Sequence, residues 1–294
     1  MKQDIVNSNP TAPILDRREF LVTSIFAAGI YASAVSPIHA QTKITTDAVE
    51  LTAGEVKIPV ADGTMPAYRA VPEKGKNLPV VLVIHEIFGV HEWIQDVCRR
   101  FAKLGYMAIA PALYARQGEI KDLKDSREIN RQIYSKIPDT QSMTDLDSTV
   151  AWAKSNSGNT KKLSITGFCW GGRITWLYAA HNPKVKAGAA WYGRVVPTPN
   201  SPLNTLQPTT PIDHVKELKV PVLGLYGGLD KGIPLDGVQR MQDELKKYKS
   251  GSEIIVFPNA DHGFHADYRP TYNKQSSEEA WSKLQAWFKT HKAF

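Results

Sequence analysis

Along the chain, short runs of Val, Ile and Leu alternate with longer stretches in which apolar residues recur at helical spacing. PVVLVIH (79–85) precedes a helical pattern near 91–104, YMAIAP (106–111) precedes a long polar helical region at 120–156, and LSIT (163–166) leads into a helix at 171–181. VKAGAAWY (185–192), VPVLGLY (220–226) and EIIVFP (253–258) complete the strands, with helices predicted at 236–248 and 276–290. Runs that are apolar without alternation suit strands buried on both faces, as in a parallel sheet covered by helices. Ahead of them, VKIPV (56–60) and MPAYRAV (65–71) flank Asp62-Gly63, a β-hairpin signal. The pattern predicts one α/β domain with a mostly parallel central sheet and helices on both faces. The Pro/Thr/Asn-rich stretch 197–211 reads as a surface loop.

The N-terminus departs from this rhythm. Residues 16–21 read DRREFL, and an uncharged Ala/Ser-rich stretch runs from Phe20 to Ala40. Paired arginines, a moderately apolar run and a small residue before Gln41 are the parts of an export signal, and Arg17-Arg18 followed by Glu-Phe-Leu resembles a twin-arginine signal. The expectation is a signal segment at 1–40, cleavage after Ala40, passage through the twin-arginine machinery, a periplasmic or otherwise exported protein, and one domain at 41–294. An uncleaved anchor is the alternative, weakened by Thr23, Ser24, Ser33, Ser36 and Pro37 within the run. No membrane span is expected in the mature form. The basic and acidic residues of the segment balance, so the formal net charge of +7 belongs to the body of the chain. Its lysines are scattered and no nucleic-acid-binding motif accompanies them, which argues against a nucleic-acid partner and leaves open a preference for anionic substrates. Two cysteines, Cys98 and Cys169, exclude a disulfide scaffold.

Open parallel sheets place their chemistry beyond the carboxyl ends of the strands. There, Gly167-Phe168-Cys169-Trp170-Gly171-Gly172 joins a strand directly to a helix. A nucleophile between glycines at such a turn is the nucleophile elbow of the α/β-hydrolase fold, with Cys169 in the nucleophile's place. The helix N-terminus beside it favours a negatively charged sulfur. Asp230 follows the strand ending at Tyr226, and His262 follows the last strand, in the order nucleophile, acid, base that this fold requires. Asp261 and Asp236 are weaker acid candidates, one too close to His262 in sequence to face its ring and the other at a helix start, where capping accounts for it. A zinc motif of the H-E-x-x-H type fails because Gly89 stands where the second histidine should be. No metal or cofactor is expected.

With these residues assembled, the chain from about residue 52 onward resembles the dienelactone hydrolase (carboxymethylenebutenolidase) family of α/β-hydrolases, whose nucleophile is also a cysteine. His85-Glu86-Ile87-Phe88-Gly89 is a second match. The resemblance implies that Glu86 contacts the resting thiol and moves away when substrate binds. The loop holding it supplies the second oxyanion-hole donor of the fold, so the N–H groups of Ile87 and Trp170 are the expected pair. Family substrates carry a carboxylate held by two arginines. Tyr114-Ala115-Arg116 matches one segment, while the other position, four residues after His262, holds Ala266, with Arg269 nearby. Arg116, Tyr114, Tyr192 and Phe88 are therefore the expected substrate-binding residues.

The expected activity is hydrolysis of small-molecule esters or lactones through Cys169, His262 and Asp230 and a thioester intermediate. An exported, non-catalytic binding protein is the rival outside enzymes; a thioesterase or peptidase is the rival within the fold. Both cysteines are expected to be reduced, with Cys98 buried on the apolar face of the 91–104 helix.

Overall fold

The computed structural model describes residues 44–120, 123, 125–198 and 202–294. The signal-like segment at 1–40 lies outside the described residues.

β1 (Leu51–Val60) and β2 (Gly63–Pro72) form the expected hairpin, with Val60 paired to Gly63 across the turn. The remaining elements are β3 (Leu78–Ile84), α1 (Glu92–Lys103), β4 (Met107–Pro111), α2 (Ser126–Gln132), α3 (Asp139–Ser155), β5 (Gly158–Phe168), α4 (Trp170–His181), β6 (Val185–Trp191), β7 (Val222–Gly227), α5 (Leu235–Lys247), β8 (Glu253–Phe257) and α6 (Lys274–Thr290). The eight strands form one sheet in the order β1-β2-β4-β3-β5-β6-β7-β8. The hairpin and its junction with β4 are antiparallel, and β4, β3, β5, β6, β7 and β8 run parallel.

β3 shows why its sequence lacks alternation. Val80, Leu82 and Ile84 join a core with Leu146 of α3, Ile174 of α4 and Met241 of α5, while Val81 and Val83 face the opposite core, with Trp93 and Phe101 of α1 and Phe288 of α6. Successive side chains point to opposite faces, and helices cover both, so every position is apolar. Cys98 lies in the second core, fully buried and free, and burial pushes its thiol's pKa up.

Two expectations need correction. The helical region read at 120–156 is not continuous: α2 ends at Gln132, a single 3-10 turn spans Tyr134–Lys136, and Pro138 stands at the N-cap of α3. Proline lacks an N–H and disfavours helix in the residue before it, so the break falls where the sequence allows it. Asp125 begins α2 by accepting the N–H groups of Arg127 and Glu128 at 2.8 and 2.9 Å. The strand read at 163–166 also extends, from Gly158 to Phe168, because pairing with β3 and β6 recruits its polar start. Among the described residues, no helix is long and apolar enough to cross a membrane.

Candidate active site

β5 ends at Phe168 and α4 begins at Trp170, so Cys169 makes the whole turn between them. Its backbone sits at φ 55° and ψ −114°, a conformation that costs a residue with a Cβ about 1–3 kcal/mol. The surroundings hold it there. Cys169 N–H donates to Trp191 O at 3.0 Å, and Gly172 N–H donates to Cys169 O at 3.0 Å. The flanking glycines are required by contact: a Cβ at Gly167 would stand 2.2 Å from Gly171 O, and one at Gly171 would stand 2.4 Å from Ile84 O. Through Gly171 the elbow touches the end of β3 and the start of the following loop, where the His85 ring stacks on Trp170 with centroids 5.6 Å apart. Trp170 opens α4, so its N–H belongs to the first turn, where amides have no partner within the helix.

Asp230 and His262, 32 residues apart in sequence, meet at the ends of β7 and β8: Nδ1 of His262 lies 2.7 Å from Oδ2 of Asp230. The other oxygen of Asp230 accepts the N–H groups of Gly232 and Ile233 at 2.8 and 3.0 Å, which aims the carboxylate at the ring. With Nδ1 engaged, Nε2 is the ring nitrogen left to face Cys169. Burial works against a charged imidazole. The negative charge of Asp230, followed by that of Cys169, outweighs burial and holds the His262 pKa well above its ordinary value. Asp261 turns to the backbone, accepting the N–H of His262 at 2.6 Å, and Asp236 lies in the first turn of α5, whose cap is Pro234.

Glu86 is fully buried. Tyr268 O–H donates to its Oε2 at 2.5 Å, Arg269 donates to its Oε1 at 3.0 Å, and His91 Nε2 lies 3.8 Å away. Burial would raise the pKa of this carboxyl, but the charge of Arg269, with nearby His91 and the hydrogen bond from Tyr268, draws it down to about 2. Arg269 lies over the ring of Phe88, its guanidinium 5.0 Å from the centroid. Sequence reading noted Arg269 only as close to a family position and missed Tyr268 and His91 altogether. Nothing in their local pattern marks them, since they reach Glu86 from the loop after β8 and from the start of α1.

The expected substrate residues divide. Tyr192 is fully buried, its ring centroid 5.1 Å from that of His262, and among the described residues its hydroxyl has no hydrogen-bond partner. Phe88 is buried in a small apolar cluster with Ile129 of α2 and with Ile133 and Tyr134 just after it, and Tyr114 and Trp170 pack against it. α2 and the turn that follows it thus lie against both Phe88 and Trp170. Tyr114 covers Gly89, where a Cβ would stand 2.8 Å from its hydroxyl. Arg116 does not sit free to clamp a substrate carboxylate. It donates to Asp62 in the hairpin turn at 2.7 Å and to Asp145 of α3. Its charge is already matched by two carboxylates, whose positions in other elements could not be read locally. Arg194 is partly buried two residues after Tyr192; burial, followed by the charge of Arg173, lowers its pKa to about 10, against the charges of Asp139 and Cys169.

The mostly parallel, doubly covered sheet and the strained elbow define a hydrolase of the α/β-hydrolase fold. A family model for the dienelactone hydrolase family matches residues 65–292. The chain belongs to that family. It is 53% identical over 278 residues to a Methylorubrum extorquens protein, with 94% of each chain covered, and 47% identical over 262 residues to an Escherichia coli K12 protein, with 89% of this chain and 95% of that one covered. Both carry the name carboxymethylenebutenolidase provisionally. A provisionally assigned dienelactone hydrolase from Klebsiella pneumoniae superposes with a TM-score of 0.78 at 48% identity, covering 81% of this chain and 98% of its own. Acylaminoacyl peptidase from Pyrococcus horikoshii shares the fold, with a TM-score of 0.63 at 14% identity.

Proposed function

We propose that the protein hydrolyses small-molecule esters or lactones by acyl transfer to Cys169. The observation that carries this reading is the chain of contacts from the strained Cys169 through His262 to Asp230, at the carboxyl edge of the sheet. The thiolate attacks the carbonyl carbon, and the N–H groups of Ile87 and Trp170 receive the charge that develops on oxygen. Collapse breaks the C–O bond, and the protonated His262 gives its proton to the leaving alkoxide. In a lactone, that alcohol stays tethered to the acyl group. The neutral imidazole then takes a proton from water as the water attacks the thioester, and the second collapse releases the acid and returns the sulfur as thiolate. Asp230 keeps Nδ1 in hydrogen bonding, so that Nε2 faces the reaction throughout. The sheet edge, the buried Tyr192 and the aromatic wall around Phe88 suit a small substrate. The partners of Arg116 argue that any substrate carboxylate is met elsewhere.

The test is turnover of p-nitrophenyl acetate and of a panel of lactones by wild type, by iodoacetamide-treated enzyme and by Cys169→Ala. Loss of turnover in the last two with an unchanged circular dichroism spectrum is expected; full activity in Cys169→Ala refutes the reading.

A further inference from the structure

We propose that Tyr134 and His85 are positioning residues for the oxyanion hole: together they hold the backbone carbonyl of Glu86 and so aim the N–H of Ile87. The proposal deepens the reading of Cys169 as nucleophile, with the Ile87 and Trp170 N–H groups as oxyanion donors, and rests on it. Glu86 O and Ile87 N–H belong to one peptide group. That group is planar and trans, so its C=O and N–H point in opposite directions, and whatever fixes the carbonyl fixes the direction of the N–H.

Three donors converge on this carbonyl: Nδ1 of His85 lies 2.8 Å from it, the Tyr134 hydroxyl donates to it at 3.2 Å, and Gly89 N–H donates to it at 3.2 Å. Because a carbonyl oxygen only accepts, Nδ1 of His85 carries the proton of the neutral ring and Nε2 is bare. The Gly89 bond closes a tight turn with Ile87 and Phe88 at its centre, and Gly89 ends that turn at φ 75°, where glycine is at ease. That backbone bond is long. The two side-chain donors reach the same oxygen from beside the turn and from the segment after α2, so the peptide cannot tilt without giving them up. Donors on the carbonyl also polarise the peptide and strengthen its N–H as a donor.

Both side chains are built to keep donating. They are fully buried. Burial pushes the His85 pKa down to about 4, which keeps the ring neutral with its one proton, and holds the pKa of the Tyr134 hydroxyl well above its ordinary value, which keeps the O–H. The Tyr134 ring meets Trp170 edge-on with centroids 4.8 Å apart, and the His85 ring stacks on the same indole, so the pair also braces the residue that bears the other proposed donor. Tyr134 is itself fixed from behind. Nε2 of the buried Gln207 donates to the carbonyls of Tyr134 and Ile137 at 2.7 and 3.1 Å, and Asp139 N–H donates to Leu206 O at 2.9 Å. These contacts bear on the two oxyanion donors rather than on the thiol, imidazole or carboxylate of the triad, so their loss is felt where negative charge grows on oxygen.

The experiment compares two reactions of Cys169 in wild type, Tyr134→Phe, His85→Leu, His85→Asn and Tyr134→Phe/His85→Leu, with circular dichroism melts on each. Turnover of p-nitrophenyl acetate passes through a tetrahedral oxyanion. Alkylation by iodoacetamide, followed at the Cys169 peptide by mass spectrometry, displaces iodide at a saturated carbon and develops none. Tyr134→Phe keeps the ring and removes only the O–H; it is expected to lose roughly threefold to tenfold in kcat, with KM and the alkylation rate within about twofold of wild type. His85→Leu is expected to lose a similar amount, His85→Asn, whose amide N–H stands where Nδ1 did, to recover most of it, and the double variant to fall roughly 10- to 100-fold in kcat. A Tyr134→Phe kcat equal to that of wild type overturns the proposal. So does a fall in kcat matched by an equal fall in alkylation, which marks a disturbed elbow, and so does a His85→Asn enzyme no more active than His85→Leu. Wild-type turnover that survives complete labelling of Cys169 removes the nucleophile reading on which the proposal rests, a result that none of the others mimics.

Discussion

Replacing Gly171 by alanine tests how tightly the elbow is built against β3. The added Cβ would stand 2.4 Å from Ile84 O and 2.7 Å from His85 O, both backbone atoms that cannot rotate away. To reach even 3.0 Å from Ile84 O, α4 and the end of β3 must separate by at least about 0.6 Å. Overpacking of this kind costs about 1–3 kcal/mol. For a domain of this size that corresponds to a fall in Tm of roughly 2–12 °C. The same opening moves the loop bearing the Ile87 N–H relative to Cys169, and both proposed oxyanion donors must stay aimed at one atom. A misplacement of about 1 Å can cost about a hundredfold in rate, so kcat on p-nitrophenyl acetate is expected to fall about 10- to 100-fold with little change in KM. Gly54→Ala on β1 is the control, because a Cβ there meets nothing within 4 Å. Circular dichroism melts and steady-state kinetics on the three proteins decide the matter. A Gly171→Ala enzyme with the Tm and kcat of wild type would refute both the contact argument and the role given to the Ile87 loop.

Two further outcomes follow from the charges in the site. Asp230→Asn removes the anion that favours imidazolium, so the His262 ring, followed by NMR, should titrate at lower pH than in wild type, and kcat should fall by roughly a thousandfold or more; an unmoved titration contradicts the pairing. The lowered pKa of Glu86 contributes stability that is present above its ordinary value of 4.5 and is lost as pH falls towards about 2, a contribution of about 3 kcal/mol. Urea unfolding of wild type and Glu86→Gln should therefore converge by that amount across the same acid window, and curves that stay parallel would count against it.

The order of elements was legible because each strand of the parallel core is apolar on both faces and each is followed by a turn signal. Of the two misreadings, one was tertiary and one local. The polar start of β5 became strand only by pairing with its neighbours, and the helical periodicity across 120–156 concealed the break that Pro138 imposes. At the site, Cys169, Asp230 and His262 could each be found alone, since each occupies the first loop positions after a strand and the fold brings strand ends together. The flanking glycines were legible for a related reason: the elbow's backbone contacts leave no room for a Cβ.

Long-range pairing of charged side chains left no such trace. A local sequence states that an arginine is present but not which carboxylate, tens of residues away, will neutralise it. Arg116 carried the tyrosine-spaced signature of a substrate clamp, yet Asp62 and Asp145 take its charge; Arg269 stood outside the matching position, yet it reaches Glu86. The sequence by itself therefore determined the sheet, the elbow and the places of Cys169, Asp230 and His262 after their strands, because these depend on backbone periodicity and on steric limits within a few residues. Only the tertiary structure decided which arginine meets which carboxylate and where Glu86 is held, because those choices depend on distances between side chains from separate elements.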